Sequence, residues 1–192
     1  MGNIFNSDFR DFLSSLNKNG VRYILVGGYS VILHGYSRTT GDMDLWVDRT
    51  TDNYAKLVAA FRGFGMPVFD MTESNFLEHP AWDVFTFGVP PVAIDLMISI
   101  EGFNFDEIYQ RSVLFDEDGL QVRVIHKNDL IALKIRAGRS KDLDDLENLK
   151  WNISWITFSD LNKLVLPKAP HGFAVAGFLL VCFAKQALHA SN

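Results

Sequence analysis

The sequence predicts an α+β fold: a mixed β-sheet flanked by helices, with a helical C-terminal part. Three observations predict it. Segments of helical and of strand periodicity alternate through the first two thirds of the chain, Gly and Pro punctuate them closely, and the last third reads as helical only. The 192 residues are 48% hydrophobic and include 16 Phe, which is ample core material. A chain of this size buries roughly 70% of its unfolded surface, so it requires neither disulfide nor structural metal to fold.

The elements follow in order. Ser7 reads as an N-cap, with Phe9, Phe12, Leu13 and Leu16 at helical spacing and Asn19-Gly20 as the stop. Val21 to Val26 is a short apolar run, hence a buried strand, and Gly27-Gly28 leads into a short helix from Tyr29 to His34. Asp42 to Val47 alternates polar and apolar, as a half-buried strand does. Thr51 to Phe64 is an amphipathic helix, and residues 66–81, with Pro67 and Pro80, read as irregular. Trp82 to Phe87 and Val92 to Ser99 are strands joined by a Gly88 to Pro91 turn, and Phe105 to Arg111 is a helical turn. Asp118-Gly119 joins Ser112–Phe115 to Leu120–Ile125 as a hairpin. From His126 onward the pattern is helical, with Gly138 as a stop and Ser140 as the next cap. The expected organisation is a core over 1–125 and a helical part over 126–192 within the same compact unit.

Charge and cysteine content narrow the function. A net charge of −5 argues against general nucleic-acid binding, which phosphate neutralisation dominates. Cys182 is the one cysteine, so neither an internal disulfide nor a multi-cysteine zinc site is available, which fits a reducing cytoplasm. The N-terminus has no basic start or long apolar run, so a signal peptide is not expected, and Asn6 breaks the myristoylation pattern.

The chemistry is concentrated between Val26 and Val47. Residues two apart in a strand share a face and lie roughly 6.5–7 Å apart, so Asp42 and Asp44 can converge on one hard cation. Magnesium takes oxygen ligands, commonly one or two carboxylates plus substrate phosphates. Gly27 and Gly28 let backbone approach a bulky anion, Ser30 adds a hydroxyl, and the fork of Arg38 suits phosphate oxygens. Asp95 stands inside the apolar run Val92 to Ile98, where a lone carboxylate is costly unless paired or metal-bound. On a strand beside that of Asp42, it would serve the same metals and take the proton of an acceptor hydroxyl.

This order of strand, Gly-Gly, short helix, Asp-x-Asp and later Asp resembles the DNA polymerase β-like nucleotidyltransferase superfamily, and within it the minimal nucleotidyltransferases and AbiEii-type toxins. Arg38 and Thr40 match the Arg and Thr that precede the carboxylate pair there, and Leu133 to Leu146 resembles the C-terminal helical segment. The resemblance implies transfer of a nucleoside monophosphate from a triphosphate, with Asp42, Asp44 and Asp95 binding two magnesium ions and Asp95 as third ligand or base. Gly27, Gly28, Ser30, Arg38, Thr40 and, on the weaker match, Lys134 would hold the nucleotide. Asp142, Asp144 and Asp145 read as helix-surface or dipole partners. The acceptor stays open among a small molecule, a protein and a tRNA end. The alternative function is a non-catalytic or regulatory toxin–antitoxin-type protein on the same fold. His34, His79 and His126 read as packing or capping residues, Asp48-Arg49 as a strand-end turn, and the four Trp as core or sheet-face residues. Gly172 to Ala184 is apolar on every side but shorter than the ~20 residues that span a bilayer, so it is expected to be a buried helix or a homodimer contact.

Overall fold

The computed structural model describes residues 4–79, 82–89 and 92–149. The chain divides into two compact units, Met1–His126 and Lys127–Asn192. The apolar run at 172–184, Trp151 and Trp155 lie outside the described residues.

The first unit is built on a mixed sheet of six strands in the order β3-β4-β2-β1-β6-β5. These are β1 (Tyr23–Leu25), β2 (Met43–Val47), β3 (Val84–Val89), β4 (Val92–Met97), β5 (Val113–Glu117) and β6 (Leu120–Val124). β1 pairs with β2 antiparallel and with β6 in parallel, β2 with β4 in parallel, and the hairpins β3–β4 and β5–β6 antiparallel. Asp118 and Gly119 have φ of 52° and 80°, the backbone of a two-residue hairpin turn that suits the twist of its strands.

Alternation decides which face of the sheet is covered by what. Leu25, Met43, Leu45, Val47, Phe85, Phe87, Ile94, Leu96, Val122 and Val124 enter one hydrophobic core. Helix α1 (Ser7–Lys18) contributes Phe9, Phe12, Leu13 and Leu16 to that core, and α3 (Thr51–Phe64) contributes Leu57, Ala60 and Phe61. At ~1.5–3 kcal/mol for each large side chain, this layer supplies most of the folding drive. The opposite face is covered at one end by α5 (Phe105–Arg111): Phe105 packs edge-on against Trp46, and Tyr109 lies under the guanidinium of Arg123. Asn53 ties α3 to the strands. Its Oδ1 accepts from Arg22 N at 2.7 Å, and its Nδ2 donates to Arg22 O and Asp48 O.

Several boundaries differ from the sequence reading. Asn6, not Ser7, caps α1, because its Oδ1 accepts the Phe9 amide at 2.8 Å. Helix α2 (Gly27–Leu33) starts at the first glycine. The stretch read as irregular contains α4 (Glu73–Leu77), capped by Thr72. Gly88 and Val89 belong to β3, and Ser112 closes α5 instead of opening β5. Asp48 is buried and ion-paired with Arg22, so it is more than a strand-end turn residue. Burial pushes its carboxyl up, and the Arg22 charge opposes that.

The second unit shows α6 (Lys127–Ala137) and α7 (Ser140–Asn148) packed on each other. Arg139 occupies the cap position expected for Ser140. No helix among the described residues is long and apolar enough to cross a membrane.

Candidate functional site

The parallel pairing of β2 with β4 sets Asp44 opposite Asp95 in register. Neighbouring strands lie about 4.8 Å apart, so two carboxylates on one face at one register stand side by side. The core takes Met43 and Leu45 from β2 and Ile94 and Leu96 from β4, which leaves Asp44 and Asp95 together on the other face. Asp42 stands two residues before Asp44, immediately before β2 begins, and is exposed, while Asp44 and Asp95 are half-buried. Burial raises the Tyr29 phenol, and the charge of Asp42 adds to it, so the Asp42 carboxylate is felt in the first turn of α2.

The glycines are fitted to these carboxylates. Gly27 has φ of +63°, a left-handed conformation that other residues rarely adopt. A Cβ there would sit 1.9 Å from Asp44 Oδ2, and one on Gly28 would sit 2.4 Å from Thr40 Oγ1. The Gly28 amide donates to Asp44 Oδ2 at 3.3 Å. Val26, the cap residue of α2, has no side-chain hydrogen bond to give the helix, so Asp44 satisfies one of its first amides. On the other side of Asp44, Val26 N donates to Asp44 O at 2.9 Å, which locks the Gly27 turn to β2.

The remaining sequence candidates separate into two groups. Arg38 and Thr40 lie in the segment leading to Asp42, and Thr40 Oγ1 is 3.4 Å from Asp42 O. Ser30 differs from its expected part: it is fully buried, and its Oγ donates to Gly27 O at 2.8 Å. A serine inside a helix finds the preceding turn's carbonyl before any ligand, so Ser30 shapes the Gly27 turn.

Lys134 is also placed differently. Its Nζ is buried and donates to Asp142 Oδ1 at 3.2 Å and to Asp145 Oδ2 at 2.6 Å. Asp142 and Asp145 are therefore buried partners of this ammonium, not surface residues, with Arg139 Nε also donating to Asp142 at 2.7 Å. Burial alone would raise the Asp142 carboxyl, but Arg139 and Lys134 together hold it below its ordinary range. His34 keeps its packing role, with its Nε2 2.8 Å from Ile125 O and its ring against Phe115.

One participant had no sequence signal. Thr86 of β3 is the register partner of Asp95, and its hydroxyl donates to Asp95 Oδ1 at 2.7 Å. Only the strand order reveals it, because a Thr in an alternating strand is otherwise ordinary.

The donor set is oxygen only: three carboxylates with hydroxyls beside them. Oxygen donors of this kind suit a hard divalent cation. Among the described residues no group of three or more His, Cys, Asp or Glu side chains is placed so that it could hold a metal ion by itself. Magnesium sites are commonly completed by substrate phosphates, and the close fit of Gly27 against Asp44 keeps side-chain bulk out of that space. Asp44 and Asp95 are oxygen donors of the kind a hard divalent cation takes.

A family model described as "Nucleotidyl transferase of unknown function" matches residues 6–168. No curated protein matches the chain. Among solved structures, the solution structure of the antibiotic-resistance factor ANT(2'')-Ia is 13% identical with a TM-score of 0.54, over 97% of each chain. The crystal structure of ANT(2'')-Ia in complex with adenylyl-2''-tobramycin is 14% identical with a TM-score of 0.52, over 88% of this chain and 94% of that one. An antigenic nucleotidyltransferase-like protein from Paracoccidioides brasiliensis is 15% identical with a TM-score of 0.47, over 97% of this chain and 93% of that one. At these identities the first two likenesses are likenesses of fold.

Proposed function

We propose, from the premise that the chain belongs to the family of nucleotidyl transferases of unknown function, that it moves a nucleoside monophosphate from a triphosphate to an acceptor hydroxyl at Asp42, Asp44 and Asp95. The observation that carries this reading is the register of β2 on β4, which sets Asp44 beside Asp95 while the Gly27 turn leaves only backbone against Asp44.

Asp42, Asp44 and Asp95 would hold magnesium, two ions in the full reading. The metal, when bound, neutralises phosphate charge and stabilises the attacking and leaving oxygens. The protein's own residues supply positioning and proton chemistry. The backbone of Gly27 and Gly28 borders the triphosphate, Arg38 and Thr40 flank it, and Ser30 steadies the Gly27 carbonyl. Asp95, with one carboxylate oxygen engaged by Thr86, keeps the other to receive the proton of the acceptor hydroxyl. The cytoplasm is the compartment this reading assumes, since magnesium and triphosphate are both supplied there.

The test is magnesium-dependent transfer from each radiolabelled triphosphate, with the mass gain of the product read directly. A nucleotide's mass, and not a phosphate's, is the expected increment. Asp44→Asn should lower turnover by about 10³-fold or more while leaving the melting transition in place. Undiminished transfer in that variant would sink the assignment.

A further inference from the structure

β3 ends the strand order, and the phase of its pairing with β4 decides what its outer edge offers. Ile98 N donates to Asp83 O at 2.8 Å, so Asp83, Phe85 and Phe87 are the residues that exchange hydrogen bonds with β4. The backbone N–H and C=O of Val84 and Thr86 therefore point away from β4. Among the described residues nothing donates to or accepts from them. An edge of this kind is a template for a further strand.

The two edges of the sheet differ. β5 carries Asp116 and Glu117, and Arg10 of α1 donates to Glu117 O at 2.9 Å and to Asp118 O at 3.1 Å. β3 has no charged residue and no proline from Val84 to Val89, and those two valines are 44% and 77% exposed. Charges and prolines are what ordinarily protect a sheet edge from added strands.

On the sheet face of Phe85 and Phe87, beside β3, lies a cleft of about 440 Å³ between residues 68–71 and 82–87. Phe69 is 67% exposed, with its ring 6.4 Å from that of Phe87, and the Trp82 ring is 4.9 Å from Phe85. Asp70 and Asp83 are exposed on the same lining, which contains no Lys, Arg or His. Neither carboxylate has a side-chain ion pair among the described residues.

We infer that β3 takes up an extended peptide segment of a protein partner as an added strand, and that this segment alternates Lys or Arg with a large apolar residue on one face. The backbone of the segment pairs with the outward groups of Val84 and Thr86. Side chains alternate along a strand, so every second residue of the segment falls over the cleft. Its apolar side chain lies on the rings, and its cations lie beside Asp70 and Asp83. A second copy of this chain would bring the same β3 edge, the same two carboxylates and no cation, so charge complementarity selects a basic partner. This surface is on the sheet face opposite Asp44 and Asp95, so partner binding and transfer are tested separately.

Two acetylated and amidated peptides test this: Thr-Lys-Val-Phe-Val-Lys-Thr, whose Lys, Phe and Lys share one face, and its counterpart with Glu for Lys. Each is titrated calorimetrically into the full chain without nucleotide. The Lys peptide is expected to bind at least about fivefold more tightly, and the preference should vanish in Asp70→Asn/Asp83→Asn. Val84→Pro removes an outward N–H at the first residue of an edge strand, where proline is tolerated, and should abolish binding with the melting transition in place. N-methylation of alternate residues along one edge of the Lys peptide should also abolish binding, and along the other edge should spare it, which keeps the test independent of how Val84→Pro folds. Binding of neither peptide, equal binding of the two, a preference that survives the double variant, or binding that survives N-methylation of either edge overturns the inference. So does a wild-type dimer by light scattering that Val84→Pro makes monomeric, because a second copy then holds β3.

Discussion

Gly27→Ala puts the backbone and the carboxylate site under test together. Gly27 has φ of +63°, and a Cβ would fall 1.9 Å from Asp44 Oδ2 and 2.3 Å from Asp44 Cγ. Holding an alanine in left-handed backbone costs about 1–2 kcal/mol. The overlap cannot be accepted, so either Asp44 rotates away or the turn shifts. Rotation frees the Gly28 amide from its 3.3 Å bond to Asp44 Oδ2, and a lost bond of that kind costs about 1 kcal/mol more. The expected sum of about 2–3 kcal/mol lowers the melting midpoint by roughly 4–12 °C. The effect on chemistry is larger. A misplacement of about 1 Å at a reacting group can cost about 10²-fold in rate, and Asp44 must move by at least that much to clear the methyl. Gly28→Ala is the comparison: Gly28 has no positive φ, but its new Cβ would lie 2.4 Å from Thr40 Oγ1 and 2.8 Å from Thr40 Cβ, which rotation of the threonine does not clear. Spared the left-handed backbone cost, it should lose less stability than Gly27→Ala. The measurements are chemical denaturation and magnesium-dependent transfer. Wild-type turnover in Gly27→Ala, or an equal loss of stability in Gly28→Ala, would refute the fitted-turn explanation.

Three further outcomes follow from the same structure. Lys134→Met leaves Asp142 and Asp145 buried without their shared ammonium, and should destabilise the α6–α7 pair by about 3–5 kcal/mol, read as early loss of helical circular dichroism on heating. Because the folded Asp142 carboxyl is held below its ordinary value, its contribution is fully present above the unfolded value near 4 and is lost as pH falls through the folded one. An acid titration of amide exchange on α7 should show that loss below about pH 4, and Lys134→Met should shift it upward. Asn53→Ala removes three hydrogen bonds and leaves Arg22 N without its Asn53 acceptor, while Arg22 O keeps Asp48 N and Asp48 O keeps Thr50 N, and should cost about 1–3 kcal/mol by denaturant titration, with Asn53→Asp unable to restore the two donated bonds.

How much of this could be read in advance depended on the range over which each feature acts. Helices α1 and α3 were legible because Phe9, Phe12, Leu13 and Leu16, or Leu57 and Phe61, repeat at helical spacing. Asp95 stood out because a charge inside an apolar run needs a reason, and the expected strand neighbour is there: it pairs in register with Asp44. Helix α4 was missed because its five residues are too short to show a period, although Thr72 carries a cap signal. Asp142 is the first-turn dipole partner that the sequence suggested, but its burial and that of Asp145 were not legible. A polar side chain's partner is settled by the turn behind it or the helix beside it, and composition reads such residues as exposed. Ser30 bonds Gly27 O one turn back, and the two aspartates enclose Lys134 of α6. Thr86 was beyond reach because its importance is positional: a long-range pairing brings it to Asp95.

The parallel pairing of β2 with β4 has a consequence for how the protein comes into being. Asp44 and Asp95 are far apart along the chain and meet only through that ladder, with α3, α4 and β3 spanning the gap. Contacts of such separation pay their loop-closure entropy before they return any enthalpy, and they form late. Nucleotide binding should therefore appear on refolding with the slowest phase, after the helical signal has recovered. A nascent chain halted before β4 would carry Asp42 and Asp44 without Asp95.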